Sequence, residues 1–352
     1  GIFAGPDMLG HDEERAEDAH AEILDDETRV GLGQRELHRG VIDFLDARDP
    51  TRPFFLWTSF FHPHPPFEPT QRFWDLYQNQ EIPDRVIGDW AEDWEGMSPA
   101  LRRATVLLSG GHRLSAEAWR QSRRAYYACM SQIDYALGRL FARLKELGEL
   151  ENTWILFTSD HGEMLGDHRL AAKAQPLEAA ARVPMILRPP KSYDGWRELR
   201  GTSTETLAGL ADILPTFLCL GGADLPEGSQ VDGRNLLDLV QGKNTRDYFF
   251  FEVLSMNGVT DGTWKYLFGR SDGCELLFHI AEDPYETRNR LPDEPEIAAR
   301  LRGVLAQEMR PRHPEAIQDD RLVCTGPALD LRDFQTQRGP SFNTENTKLN
   351  KN

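Results

Sequence analysis

The stretch Trp154-Ile155-Leu156-Phe157-Thr158-Ser159-Asp160-His161-Gly162-Glu163-Met164-Leu165-Gly166-Asp167-His168, then Lys173 and Glu178-Ala-Ala-Ala-Arg182-Val183-Pro184, decides how this chain is read. Trp154 to Phe157 is an unbroken apolar run of strand length, bounded by polar residues and Gly. Such a run suits a strand covered on both faces of a parallel sheet, where alternation disappears. In open α/β sheets ligands sit beyond the carboxyl ends of the strands, so Asp160 and His161 emerge where a site is expected. They offer a carboxylate oxygen and an imidazole nitrogen as adjacent metal donors. Beyond them Glu163, Asp167, His168 and Lys173 gather in a segment without a secondary-structure period. A divalent metal beside a lysine is an arrangement for neutralising a tetrahedral oxyanion ester, so phosphate and sulfate esters are the expected substrates. Glu178 and Arg182 stand at i,i+4 spacing and predict a structural pair.

Outward from this stretch, the chain alternates helix and strand. Upstream, Tyr126, Met130, Ile133, Leu137, Leu140, Leu144 and Leu147 recur at steps of four and three, one stripe of a long helix that Gly148 stops. That helix feeds the strand at Trp154, a unit of a doubly wound sheet. Earlier still, a helix-like segment Leu37–Leu45 leads to Pro53–Phe60, a second expected buried strand, whose end presents His62 and His64 between prolines. Asn79 to Arg113 lacks a period and is expected to run as a long excursion over the sheet edge. Downstream, Asp247 to His279 alternates short β-rich runs with Gly breaks and predicts a small antiparallel sheet, against which a helix over Pro295–Gln307 packs. From Pro311 the composition is polar, and a loose tail is expected, one that leaves a homo-oligomer open. The resulting division is 1–240 for the α/β domain, 241–310 for a small C-terminal subdomain and 311–352 for the tail.

Composition narrows the partners. The 352 residues carry 40 Lys plus Arg against 57 Asp plus Glu, a formal charge of −17, which disfavours nucleic acid and anionic membrane. No apolar run approaches the ~20 residues of a membrane span. A small anionic ester therefore needs a local positive site, for which Lys173 is the candidate. Cys129, Cys219, Cys274 and Cys324 match no zinc or redox spacing and are expected as reduced, mostly buried thiols. The acidic opening, Gly1 to Val30, reads as a solvated lead-in, with Asp25 and Asp26 only weakly suggestive of a metal pair because no strand precedes them.

The segment Thr153 to Pro184 resembles the hallmark region of the sulfatase family within the alkaline phosphatase superfamily: Thr-Ser-Asp-His-Gly-Glu, Gly-Asp-His, a Lys, then Glu-x-x-x-Arg-Val-Pro. Asp43-Phe44-Leu45 with Pro53–Pro66 is similar to the family's strand and Pro-His-x-Pro loop. Leu210–Leu237, with Asp212, Pro215, Thr216 and Asp232-Gly233, is similar to a further family segment, and Thr263–Tyr266 with Asp283-Pro-Tyr-Glu286 to its closing small domain. The resemblance covers roughly residues 36 to 300 in the right order. It implies an α/β fold with a mostly parallel sheet sandwiched by helices, and a smaller α+β subdomain on a short antiparallel sheet.

By position it implies Asp160 and His161 as metal ligands, Lys173 on the ester's anionic oxygens as a catalytic and substrate-binding group, His64 as acid or base near the leaving group, and His168 in substrate binding. The implied cofactor is one divalent ion, calcium or manganese, with the imidazole of His161 tilting the preference toward manganese. The activity implied is sulfate ester hydrolysis; a phosphonate monoester or phosphodiester hydrolase, or a non-catalytic relative acting as a binding protein, are the alternatives. Three features depart from the family pattern. Arg-Leu-Ala-Ala-Lys-Ala follows Asp167-His168 where Gly-Leu-Trp-Gly-Lys-Gly is usual. None of the four cysteines stands in the setting of the family's formylglycine nucleophile, and the first-strand acidic ligands are missing too. The expectation is that these parts belong to a segment upstream of Gly1, this chain being a fragment.

Overall fold

The computed structural model describes residues 32–326 apart from Pro226. In chain order the helices are Leu32–Ala47 (α1), Gln71–Asp75 (α2), Pro99–Ala104 (α3), Ala116–Glu146 (α4), Glu178–Ala181 (α5), Ile213–Gly221 (α6), Leu236–Val240 (α7) and Pro295–Met309 (α8). The strands are Ile155–Thr158 (β1), Met185–Arg188 (β2), Phe249–Val253 (β3), Met256–Thr260 (β4), Lys265–Gly269 (β5), Glu275–Phe278 (β6), Ile317–Gln318 (β7) and Arg321–Leu322 (β8). Their residues divide into two compact units interleaved in sequence. The first takes the described residues up to Asp84 with 115–156 and 186–198; the second takes 85–114, 157–185 and the described residues from Leu199 onward. This division does not follow the 240/241 boundary expected from sequence.

In the first unit α4 is the spine. Ser115 caps it by accepting a hydrogen bond from the Ala118 amide at 3.1 Å, and Gly148, at φ 75°, follows its last turn. Its C-terminal half buries Leu140 and Leu144 against Val41 and Leu45 of α1, with Phe54 and Leu56 packed alongside. Each such leucine contributes about 1.5–3 kcal/mol of burial. Nearer its middle, Gln132 accepts from the Thr70 amide at 3.0 Å and Ser131 meets the Tyr77 hydroxyl at 2.7 Å, which ties α2 to the same spine.

The expected strand over 53–60 is corrected here. The segment runs with alternating exposure, Phe54 and Leu56 inward and Phe55 and Trp57 outward at 63% each, but it belongs to none of the described sheets. Periodicity reports alternation, whereas a strand is defined by a ladder with a neighbour, and the described two-stranded sheet pairs β1 with β2 alone.

The second unit is built on the antiparallel sheet β3-β4-β5-β6, as expected. Its register sets Leu267 opposite Leu276 and Tyr266 opposite both Val259 and Leu277. Both faces are covered. One carries Val259, Tyr266, Phe268 and Leu277 against Ala298, Leu301, Leu305 and Met309 of α8. The other carries Met256, Leu267, Leu276 and Phe278 against Met164, Leu170, Leu177 and Ala180 of the hallmark segment, and against Ala91, Met97, Ala100 and Leu101. Residues 85–114 therefore form a wall of this core rather than an excursion over an edge; the apolar residues that do so are too widely spaced to show a period.

Over residues 311–326 the expected loose tail is corrected. Ala316 is fully buried, Ile317 and Leu322 join the α8 layer, and β7 pairs with β8. Residues 1–31, with Asp25 and Asp26, and 327–352 lie outside the described residues. Of the four free thiols only Cys129 is buried, its thiol pushed up to about 12 by burial; Cys274 is intermediate, and Cys219 and Cys324 are exposed, which corrects the expectation of mostly buried cysteines. Among the described residues no helix is long and apolar enough to cross a membrane.

Candidate functional site

The hallmark segment lies in the second unit from Phe157 onward. After β1 the chain turns sharply, and the turn aims two donors at one another. The His161 amide donates to Asp160 Oδ1 at 3.0 Å, and Ser159 Oγ donates to the His161 carbonyl at 2.8 Å. His161 Nε2 then stands 3.3 Å from Asp160 Oδ2. On its other side His161 Nδ1 lies 2.7 Å from the Gly162 carbonyl. A carbonyl only accepts, so Nδ1 carries a proton, which leaves Nε2 as the ring atom that faces the carboxylate and could serve as a metal donor. Two electron-rich atoms at that separation suit the edge of a coordination shell whose metal–ligand distances are about 2.1–2.3 Å. An imidazole whose second nitrogen donates to a backbone carbonyl is likewise the usual state of a metal-bound histidine. Asp160 has an 83% exposed side chain, so both donors are open to a ligand. The residues fit two ligands of a divalent ion; among the described residues no group of three or more His, Cys, Asp or Glu converges.

The turn is held from behind by α5. The Gly162 amide donates to the Ala180 carbonyl at 2.7 Å and the Glu163 amide to the Ala179 carbonyl at 3.0 Å. The approach is so close that a Cβ on Gly162 would lie 2.1 Å from the Ala179 oxygen, so only glycine fits. Glu163, its carboxyl pushed up by burial, accepts from the Ala172 amide at 2.6 Å and folds the loop back on itself. Between them Leu165, His168, Arg169 and Ala172 all take positive φ, at 47°, 53°, 62° and 65°. Left-handed backbone at four non-glycine residues costs on the order of 1–3 kcal/mol each and persists only where the surroundings impose it.

His168 supplies part of that imposition. It is 3% exposed, its Nδ1 accepts from the Gly88 amide at 3.0 Å, and its Nε2 donates to the Tyr285 carbonyl at 3.0 Å. Both ring nitrogens are thus engaged by backbone, and the Trp90 ring lies 4.7 Å from the imidazole. Burial pushes the His168 imidazole below its usual range. Lys173 is half-buried; no hydrogen bond or ion pair is seen on its ammonium among the described residues, while its charge is felt by Glu163. His64 belongs to the first unit, where Nδ1 donates to the Pro65 carbonyl at 2.7 Å and the ring lies 4.8 Å from that of Phe61. The structure thus brings Asp160 and His161 together, with Glu163, His168 and Lys173 on the loop that follows.

Two polar clusters escaped the sequence reading. Glu178 has its expected partner Arg182 at 4.0 Å, and its carboxylate also lies 2.9 Å from Lys265 Nζ, which was not expected. Lys265 is 1% exposed and also lies 2.8 Å from Glu286, itself 1% exposed. The available signal was a lysine opening the otherwise apolar strand Lys265–Gly269. The second cluster is Asp212, which receives Arg246 in a two-pronged pair at 2.6 and 2.8 Å and the amides of Gly209 and Arg234 at 2.8 and 2.7 Å. Although burial works against its charge, these donors hold the Asp212 carboxyl below the usual range.

Fold and motif together define an α/β protein with an Asp-His turn at a strand end. Residues 32–223 match the family described as Sulfatase, and the chain belongs to that family. It is 32% identical over 301 residues to an arylsulfatase of Clostridium perfringens, covering 83% of this chain and 60% of the relative. To a choline-sulfatase of Rhizobium meliloti it is 34% identical over 248 residues, covering 68% of this chain and 46% of the relative. The crystal structure of a phosphonate monoester hydrolase of Agrobacterium radiobacter superimposes with a TM-score of 0.67 at 24% identity, over 83% of this chain and 64% of that one. The chain accordingly shares the fold of that hydrolase, with the small antiparallel sheet near the C-terminus. The chain spans about half the length of the curated relatives it matches.

Proposed function

We propose that this chain carries the metal-ligand and oxyanion-binding part of a sulfate ester hydrolase. The observation that carries the reading is the convergence of His161 Nε2 and Asp160 Oδ2 at 3.3 Å, with His161 Nδ1 committed to a carbonyl. Asp160 and His161 hold a divalent cation, manganese or calcium, which when bound supplies Lewis acidity toward the ester's oxygens. Lys173 places its ammonium on the same anionic oxygens and stabilises charge that develops on them. His168 enters as the residue that fixes the loop, since its ring is occupied on both sides. The nucleophile is assigned to no residue named here. The substrate is a small anionic ester, and similarity to an arylsulfatase and a choline-sulfatase supports sulfate.

The test is titration of inorganic sulfate into the protein with and without Mn2+, for wild type and Lys173→Ala, alongside hydrolysis of an aryl sulfate and a phosphonate monoester. Cation-dependent sulfate binding that is lost in Lys173→Ala is the expected result. Sulfate binding indifferent to both cation and Lys173 contradicts the reading, and turnover confined to the phosphonate moves it to the alternative ester.

A further inference from the structure

The buried charges of the second unit lead back to the metal-ligand turn by an unbroken series of contacts. Lys265 Nζ bridges Glu178 at 2.9 Å and Glu286 at 2.8 Å, in a place where neither Lys265 nor Glu286 meets solvent. Burial alone works against the Lys265 charge, but the two carboxylates outweigh it and hold the ammonium above its usual range. Glu286 Oε2 also accepts from the Glu178 amide at 2.7 Å, so it grips the first residue of α5 through the backbone while Lys265 grips it through the side chain. The next residues of α5, Ala179 and Ala180, offer the carbonyls that receive the Glu163 and Gly162 amides. Gly162 in turn offers the carbonyl on which His161 Nδ1 depends. The α5 segment is only one turn long and has no side-chain cap of its own, so its placement depends on these outside contacts.

We propose that Lys265 and Glu286 are positioning residues for the metal-ligand turn, setting α5 so that the Gly162 carbonyl meets His161 Nδ1 and Nε2 is left facing Asp160. This rests on the metal-ligand reading of Asp160 and His161. A second-sphere group that orients a ligand through its hydrogen bond typically shifts metal affinity 10- to 100-fold. The relay acts on geometry, through the backbone of α5, and leaves the ligands themselves unchanged.

Two readouts test it on the full chain. One is the tautomer of His161 from imidazole 15N chemical shifts without metal, the other Mn2+ affinity by calorimetry. Lys265→Met, Glu286→Gln and the conservative Lys265→Arg are compared with Leu301→Ala, which empties a fully buried site on the α8 face of the sheet. Expected is a predominantly Nδ1-protonated ring in wild type, lost in Lys265→Met and Glu286→Gln, with Mn2+ affinity weakened at least about tenfold, partly recovered in Lys265→Arg and unchanged in Leu301→Ala. Glu286→Gln is nearly isosteric and removes the charge that holds Lys265 against α5, so it reports if Lys265→Met does not fold. The proposal is overturned if Glu286→Gln folds with wild-type tautomer, or if Leu301→Ala alters tautomer and affinity as much. Should wild type bind no Mn2+ while the tautomer still follows Lys265 and Glu286, positioning stands and the metal reading fails.

Discussion

Asp160 and Lys265 are charged side chains of the same unit in opposite surroundings. Asp160 is 83% exposed and rests on hydrogen bonds from its immediate neighbours, Ser159 and His161, whereas Lys265 is 1% exposed and joins residues 87 and 21 positions away in sequence. The contrast separates two demands on one motif. The ligand end must stay open to solvent, so removing a group there changes binding and little else. The supporting end must be closed, because buried charge is tolerated only when fully paired. An exposed carboxylate and a paired buried lysine therefore predict different results when each is removed.

Lys265→Met gives the largest effect. It leaves Glu178 and Glu286 facing one another without their cation, and a loss of about 3–5 kcal/mol is expected in urea denaturation. A loss under ~1 kcal/mol would mean that the carboxylates find other partners and that the contrast is false. His168→Ala follows at about 2 kcal/mol, since the Gly88 amide and the Tyr285 carbonyl both lose their partner. The same residue predicts a pH effect. The folded imidazole titrates below the ordinary value of 6.5, so the unfolded state binds the proton more readily; this contribution is complete above about 6.5 and is lost as pH falls through the window beneath it. Urea midpoints at pH 5.5 and 7.5 should therefore differ more for wild type than for His168→Gln, and equal differences would refute burial as the cause.

Gly162→Ala sharpens the comparison at its border, because the added methyl must displace the Ala179 oxygen. About 1–3 kcal/mol of stability should be lost, as for other overpacked sites, together with Mn2+ affinity. A variant that keeps both would show the Gly162 contact to be slack. Asp160→Ala is the smallest in stability, within about 0.5 kcal/mol of wild type by thermal unfolding, as for other exposed positions.

How much of this was legible follows the same divide. Asp160, His161 and Lys173 stand out as candidates in the sequence because a local run of polar residues at the end of an apolar one needs no tertiary knowledge. The helix α4 and the sheet β3 to β6 were readable for the same reason, since period and Gly breaks are local. The partnership of Glu178, Lys265 and Glu286 was hidden because its members are far apart in sequence, and the i,i+4 rule pointed instead to Arg182, whose side chain is 65% exposed. Asn79 to Arg113 shows no period because Ala91, Met97 and Leu101 are core residues only relative to a sheet more than a hundred residues later. For 53–60 the alternation was correctly seen, but alternation alone does not supply a ladder.

Calorimetric titration of Mn2+ into wild type and Asp160→Ala is the most direct measurement of the central claim, that Asp160 and His161 are ligands. It should show a site in wild type that is lost or weakened at least about tenfold in a variant with unchanged melting temperature, in keeping with loss of a ligand rather than of the fold. Equal Mn2+ affinity in the two proteins would contradict it.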